Sequence, residues 1–454
     1  MIQFSGYDDV IMRIYEHRQE QVFKYWNDLN EQDKKHLLDE LKGVDLPMME
    51  KLYADSGKQH ENLQFEPPLL IPIPKTEEQK EKQALAVNAG IESIKKGQLA
   101  AFVVAGGQAT RLGYDSPKGT FPIAPVSGKS LFQLHGEQIL ASSRKYGAKI
   151  PWLVMTSIYN YDDTSAYFKK MNFFGLDEKD IFIFHQNMIS SLDENGKLVL
   201  ETPKSLFKNP DGHGGSFNAM SSSGALRKIK ERDVKIISYF QVDNPLVKVI
   251  DPEFIGYHIL SMAEASSKAI PKVCPEEKVG VFVKFSGGKT GVIEYSDLPP
   301  EKTTAYAENG SLLYSAANIA VHLFNLDFIE KTSSGESAPL PFHTARKKLS
   351  AFEGEINGFK FEKFVFDALP MAKNAVIMET RREEEFAPVK NASGADSPDT
   401  SKKMMIELHR KWLVSRGINI PEKVSVIEIS PLTALEAADI PPDIIVPNTA
   451  KVEL

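Results

Sequence analysis

Ala105-Gly106-Gly107-Gln108-Ala109-Thr110-Arg111-Leu112-Gly113 follows directly on the apolar run Phe102-Val103-Val104, with Pro117-Lys118 shortly after. A strand feeding a glycine-rich turn exposes main-chain N–H groups that can close on a phosphate. Arg111 and Lys118 would set positive charge against a triphosphate, and Pro117 would stiffen the approach to Lys118. Two better-known phosphate loops fail on spacing. A dinucleotide fingerprint counted from Gly107 needs glycine where Ala109 stands, and a Walker A loop ending in Gly128-Lys129-Ser130 needs glycine where Ile123 stands.

Asp243 comes just after the buried-looking run Ile236 to Val242, where the carboxyl end of a strand places a carboxylate at a sheet edge. Hard oxygen suits Mg²⁺, which takes one or two carboxylates and completes its shell with phosphate oxygens and water. An aspartate capping the turn before Pro245 is an equal reading of the same residues. Pro210 to Gly215 carries three glycines in four positions, which suits either the close approach of a base or sugar, or a flexible loop. Phe364 and Phe366 alternate at strand period and are expected on one face of a strand.

The elements that must hold these residues show in the apolar pattern. From about Tyr7 to Ile94 the spacing is helical, with Asn30 and Asp33 marking a helix start near Glu31. Pro67 to Pro74 reads as an extended connector. From Leu99 on, short apolar runs (Leu99 to Val104, Trp152 to Thr156, Ile181 to Phe184, Ile236 to Val242) alternate with helical segments, the mark of βα units. After a polar stretch from Asn391 to Lys403, one helix around Met404 to Val414 and short β-like runs around Val424 to Ile429 indicate a small terminal domain. The division expected is a helical region over residues 1–98, a catalytic domain over 99–387 and a small α+β domain over 388–454.

Composition narrows the partners. Apolar residues at 42% and charged residues at 25% are ordinary globular usage, and the net charge of −7 argues against broad binding to nucleic acid or membrane surfaces. The one cysteine, Cys274, leaves no intrachain disulfide and no Cys-rich zinc site, which fits a reducing, cytoplasmic setting. Charged residues near the start (Asp8, Asp9, Arg13) fill the place of a signal peptide's apolar run, so none is expected.

The glycine loop does not stand alone. It is followed in order by Pro210-Asp211-Gly212-His213-Gly214-Gly215, Gln241-Val242-Asp243-Asn244-Pro245-Leu246, Val279-Gly280-Val281 with Glu294-Tyr295-Ser296, Asn318-Ile319-Ala320, Lys363-Phe364-Val365-Phe366-Asp367, and Arg381 to Asn391. This ordered set resembles the eukaryotic-type UDP-N-acetylglucosamine pyrophosphorylases, within the wider UTP:sugar-1-phosphate uridylyltransferases. The resemblance implies an α/β fold with a mainly parallel, Rossmann-like central sheet of the GT-A nucleotidyltransferase kind, flanked by helices. It implies UTP and a sugar 1-phosphate as substrates, a UDP-sugar as product, Mg²⁺ on Asp243, and a monomer or weak homo-oligomer.

Residue by residue, it assigns Arg111, Lys118, Asp243 and Lys390 to catalysis. It assigns Ala105, Gly106, Gly107, Gln108, Ala109, Thr110, Gln186 and Gly212 to the nucleotide. His213, Gly280, Glu294, Tyr295, Asn318, Phe364 and Phe366 fall to the sugar. His343, Arg346, Lys347 and Lys348 match a family motif without a role, and a basic helical face is the simpler expectation. Two departures bear on the sugar: Ala109 replaces a glycine of the loop, and His213 stands where the N-acetylglucosamine branch has asparagine, as in the glucose and broad-specificity branches. Arg111 belongs to the N-acetylglucosamine branch. N-acetylglucosamine 1-phosphate is the first expected acceptor and glucose or galactose 1-phosphate the second; a non-catalytic UDP-sugar sensor is the rival of another class.

Overall fold

The structure, a computed structural model, describes residues 1–56, 64–334 and 339–454. It forms two compact units: one built from Met1–Leu63, Gln186–Gly215 and Leu340–Val365, the other from Gln64–His185, Ser216–Pro339 and Phe366–Leu454.

The larger unit is an α/β sheet protein, as expected. Its strands include β1 (Leu99–Val104), β2 (Trp152–Thr156), β3 (Ile181–His185), β4 (Ile236–Gln241), β5 (Ala265–Pro271), β6 (Val281–Phe285), β7 (Ala316–Asn325) and β8 (Ala375–Glu379). Strands β4, β1, β2 and β3 lie side by side and parallel. They read as unbroken apolar runs because helices cover both faces, and β1, β2 and β4 are buried almost throughout. Beyond β4 the sheet becomes mixed. Strand β7 runs antiparallel to β4, β5 and β6, and β8 pairs with β5 in parallel.

Four helices bear on the site or its frame: α1 (Glu77–Lys95), α2 (Leu131–Tyr146), α3 (Pro252–Leu260) and α4 (Pro398–Ser415). Helix α1 opens on a reciprocal capping box of Thr76 and Gln79. It crosses α3 at backbone contact: a Cβ on Gly90 would lie 1.9 Å from the Pro252 carbonyl oxygen, and one on Gly256 would lie 1.6 Å from that of Ala86. Only glycine permits so close a crossing. Helix α4 begins at Pro398, capped by Ser397 and Thr400, so more than a turn of the stretch read as polar connector is helical. A small core of Leu413, Val424, Ile427 and Val452 then closes around the parallel pair Val426–Glu428 and Lys451–Glu453.

The smaller unit carries the expected N-terminal helices over Asp8–Glu16, Glu31–Lys42 and Leu46–Asp55. Asn30 caps the second, accepting from the Asp33 N–H at 2.9 Å. Their apolar faces (Ile14, Leu38, Leu41) pack with Ile189, Leu198 and Phe361 from the later segments. His343 to Lys348 lie on a strand, His343–Ala351, paired with Gly354–Glu362, and not on a helix. Arg346, Lys347 and Lys348 are all exposed, so the run of cations shows no inward-outward alternation that would mark it as a strand. Among the described residues no helix is long and apolar enough to cross a membrane.

Candidate active site

The glycine loop leaves the sheet at the carboxyl end of β1, beside the ends of β2 and β4. The Ala105 N–H still donates to Met155 at 2.7 Å, and from Gly106 the chain turns out. Inside the turn the N–H groups of Ala109 (to Ser116, 3.1 Å), Leu112 (to Ala109, 2.8 Å) and Gly113 (to Thr110, 3.0 Å) are used by the loop itself. Gly113 sits at φ +69°, where a side chain would be strained. The N–H groups of Gly106, Gly107, Gln108, Thr110 and Arg111 have no main-chain partner among the described residues. Gly107, Gln108, Thr110 and Arg111 are exposed. Unpaired donors on a fixed, exposed turn suit an anionic ligand. Ala105 and Ala109 are buried with their donors spent, so they shape the turn without offering it a hydrogen bond.

The turn is held from below by Asn160, a residue the sequence did not single out. Its Nδ2 donates to the carbonyls of Ala105 (3.1 Å) and Gly107 (3.4 Å), while its Oδ1 accepts from the Ser157 N–H at 2.8 Å. Asn160 is fully buried.

Lys118 returns to the loop through its own N–H, which donates to the Gly107 carbonyl at 3.0 Å. Its Nζ stands 3.4 Å from Asp243 Oδ2, both side chains mostly buried. Asp243 follows β4 by two residues, and its carbonyl accepts from the Val389 N–H at 2.8 Å, which brings Lys390 beside it. Lys390 is exposed, with Nζ 5.6 Å above the Phe386 ring. Asn244, part of the quoted motif but given no role by the sequence, fastens this segment: Nδ2 donates to the Glu385 carbonyl (2.7 Å) and Oδ1 accepts from the Ala387 N–H (3.0 Å). Lys118 and Asp243 therefore meet through their side chains, the main chain sets Lys390 next to Asp243, and Arg111 lies on the exposed loop.

Gly280, Glu294 and Asn318 also come together. The Asn318 N–H donates to the Gly280 carbonyl at 2.9 Å, and a Cβ on Gly280 would lie 2.8 Å from Glu294 Oε1. Pairing of β7 with β4 stops at His322 opposite Tyr239. Residues 316–320 therefore run on toward the edge where Asp243 stands. Tyr295 is half exposed and Phe366 is buried.

In the smaller unit the Pro210–Gly215 loop is pressed against Lys363 and Phe364. A Cβ on Gly212 would lie 2.5 Å from the Lys363 carbonyl oxygen, one on Gly214 would lie 2.6 Å from the Phe364 carbonyl carbon, and one on Gly215 would strike the Asp211 carboxylate. The three glycines are thus accounted for by the chain's approach to itself. Phe364 lies beyond the strand end at Glu362, and Phe366 belongs to the other unit, so the two share no strand face. Phe364 instead stacks on His343 (centroids 4.4 Å) and His213 (5.4 Å). His213 Nδ1 accepts from the Val365 N–H at 3.2 Å, which leaves the proton of the neutral ring on Nε2. Gln186 is buried, one residue before Asn187, whose carbonyl accepts from the Asp211 N–H at 3.1 Å.

Burial pushes three histidines, His135, His213 and His409, down to about 4. They are neutral in the folded chain, whereas the unfolded chain takes up their protons as pH falls through 6.5. Stability is therefore full above about pH 6.5 and is lost between there and pH 4, by on the order of 2–3 kcal/mol per histidine. Asp211, raised by burial to about 6, acts in the opposite sense between about pH 6 and 4 and offsets roughly one histidine's share. Urea midpoints measured from pH 7 to 4.5 are expected to fall steeply, and less so in His409→Gln; a flat profile would contradict the burial of these rings.

Among the described residues no group of three or more His, Cys, Asp or Glu side chains is placed to hold a metal ion. The single carboxylate of Asp243 fits an ion that draws its other ligands from phosphate and water, the habit of Mg²⁺. Gly128-Lys129-Ser130 is otherwise engaged: Ser130 caps α2, and Lys129 pairs with Glu137 and Glu453, both at 3.1 Å.

The chain is 35% identical over 454 residues to UDP-N-acetylglucosamine diphosphorylase 2 of Arabidopsis thaliana, covering 94% of this chain and 90% of that one. It is 34% identical to UDP-N-acetylglucosamine pyrophosphorylase of Saccharomyces cerevisiae over 75% of each chain. The crystal structure of the uridine diphosphate N-acetylglucosamine pyrophosphorylase from Trypanosoma brucei in complex with inhibitor superposes with a TM-score of 0.84 at 28% identity, covering 97% of this chain and 95% of that one. The family model described as UTP--glucose-1-phosphate uridylyltransferase matches residues 49–437, and the chain belongs to that family.

Proposed function

We propose that this protein joins UTP to N-acetylglucosamine 1-phosphate, giving UDP-N-acetylglucosamine and pyrophosphate. The observation that carries the reading is the exposed turn of unpaired N–H groups at the end of β1, with Lys118, Asp243 and Lys390 gathered beside it. Similarity to N-acetylglucosamine enzymes over nearly the whole chain supports the choice of sugar. The single cysteine supports a cytoplasmic setting, and the molecule is read as a monomer or weak homo-oligomer.

An oxygen of the sugar 1-phosphate attacks the α-phosphorus of UTP in line, and pyrophosphate leaves without a covalent enzyme intermediate. The nucleophile is already an anion, so no strong general base is required. The amides of Gly106, Gly107, Gln108, Thr110 and Arg111 hold the triphosphate, and Arg111, Lys118 and Lys390 neutralise charge that builds on it. Asp243 would hold Mg²⁺, which supplies further positive charge on the phosphate oxygens. Gln186 and Gly212 are assigned to the base; His213, Glu294, Tyr295, Asn318, Phe364 and Phe366 to the sugar. A non-catalytic sensor has no use for four groups that serve metal and leaving-group charge.

Glucose 1-phosphate is the second reading, favoured by His213 and by the description of the matching family model. Pyrophosphate release with UTP and a panel of sugar 1-phosphates tests all three: fastest turnover with N-acetylglucosamine 1-phosphate is expected, glucose or galactose leading would reassign the sugar, and silence with UDP-sugar binding intact would favour the sensor. Gly280→Ala pushes a methyl against the Glu294 carboxylate. It should raise KM for the sugar phosphate about 10-fold, the scale of one charged hydrogen bond, with KM for UTP unchanged. An unchanged sugar KM would remove Gly280 and Glu294 from that wall.

A further inference from the structure

Behind the segment that delivers Lys390 lies a buried ionic cluster with no part in the reaction as derived above. Lys268, on β5, is fully buried, with Nζ 2.5 Å from Asp251 Oδ2 and in contact with Glu385 Oε2. Glu385, itself 1% exposed, accepts from Thr380 Oγ1 at 2.6 Å and lies 3.5 Å from Lys248 Nζ. Two ammonium groups thus face two carboxylates. Burial opposes ionisation of Asp251, yet Lys268 and Lys248 hold its carboxyl below the usual range.

Such a cluster is a poor source of net stability, since desolvation of the ions offsets most of their attraction. What it does provide is a fixed position. Glu385 stands five residues before Lys390, and the chain between them forms no helix or strand. Its holds include the Glu385 carboxylate on Lys268, the Asn244 amide on Glu385 and Ala387, and the Asp243 carbonyl on the Val389 N–H, with Ser401 Oγ donating to the Ala387 carbonyl at 2.8 Å and the Lys390 N–H donating to the Asp396 carbonyl at 2.7 Å at its far end.

We propose that Lys268 and Glu385 are positioning residues that set where Lys390 stands against Asp243, and through it the rate of uridylyl transfer. The inference rests on the catalytic reading of Lys390. A loosened Glu385 lets the 385–390 segment shift, and a displacement of about 1 Å at a charge-neutralising group is enough to cost one to two orders of magnitude in rate.

The test is a double-mutant cycle in the full-length chain, reading kcat, both KM values and the melting temperature. Glu385→Gln keeps the shape and removes the charge. It should lower kcat about 10-fold in the wild-type background and less than about 2-fold in Lys390→Ala, because its effect runs through that lysine. Its loss of melting temperature should be the same in both backgrounds, as a merely structural effect would be for rate as well. Equal fold losses of kcat in the two backgrounds, or full kcat with Lys390 intact, overturn the proposal. Should Glu385→Gln fail to fold, Thr380→Val, which removes only the hydroxyl bond to Glu385, should show the same pattern at about 3-fold. Wild-type turnover in Lys390→Ala would instead overturn the catalytic reading itself.

Discussion

Lys118→Ala is expected to lower kcat by at least about 10²-fold, the scale of losing one preorganised electrostatic contact to a charge that builds in the transition state. The backbone should not move, because the Lys118 N–H holds the Gly107 carbonyl through its main chain alone. What is lost is an ammonium 3.4 Å from Asp243, mostly shielded from water, where a charge acts far more strongly than at the surface. The KM for UTP should change much less than kcat, since the loop amides still bind the ground state. Steady-state pyrophosphate release measures both, and near-normal turnover would remove Lys118 from the chemistry.

Asp243→Asn should cost still more, on the order of 10²- to 10³-fold in kcat at fixed Mg²⁺. The side chain keeps its size, and the carbonyl that accepts from Val389 is untouched, so Lys390 stays in place. Only the negative charge goes. On the proposed reading the Mg²⁺ concentration for half-maximal rate should therefore rise at least about 10-fold, the effect of removing a carboxylate ligand from a hard cation. A Mg²⁺ titration at saturating UTP reads this, and an unchanged midpoint would release Asp243 from metal binding.

The parallel half of the sheet was legible because strands covered on both faces are written as unbroken apolar runs. Leu99–Val104 and Trp152–Thr156 stand as read, β3 extends one residue further to His185, and β4 ends one residue earlier at Gln241. The glycine loop was legible for the same reason, since punctuation after a strand has few uses. The antiparallel half was harder: β7 carries Asn318 and His322 within an apolar run, and its pairing partners are distant in sequence. His343–Ala351 was lost because consecutive cations carry no period of their own. Phe364 and Phe366 misled because alternation was taken for a strand at the point where the chain leaves one.

The roles of Asn160, Asn244, Lys268 and Glu385 were illegible for a different reason. Each is a single polar residue whose meaning lies wholly in what it meets across the fold. Asn160 carries one weak local sign, Ser157 three residues earlier at the end of a strand, the arrangement in which an asparagine side chain accepts from nearby N–H groups. Glu385 carries a misleading one, since Glu383 and Glu384 beside it make it look like a solvated face.

A crystal structure of the protein with UTP and Mg²⁺ bears most directly on the triphosphate site. The triphosphate oxygens should lie about 3 Å from the N–H groups of Gly106, Gly107, Gln108, Thr110 and Arg111, with the ion about 2.1 Å from an Asp243 oxygen. A triphosphate bound away from that turn, with those five N–H groups facing only water, would contradict it.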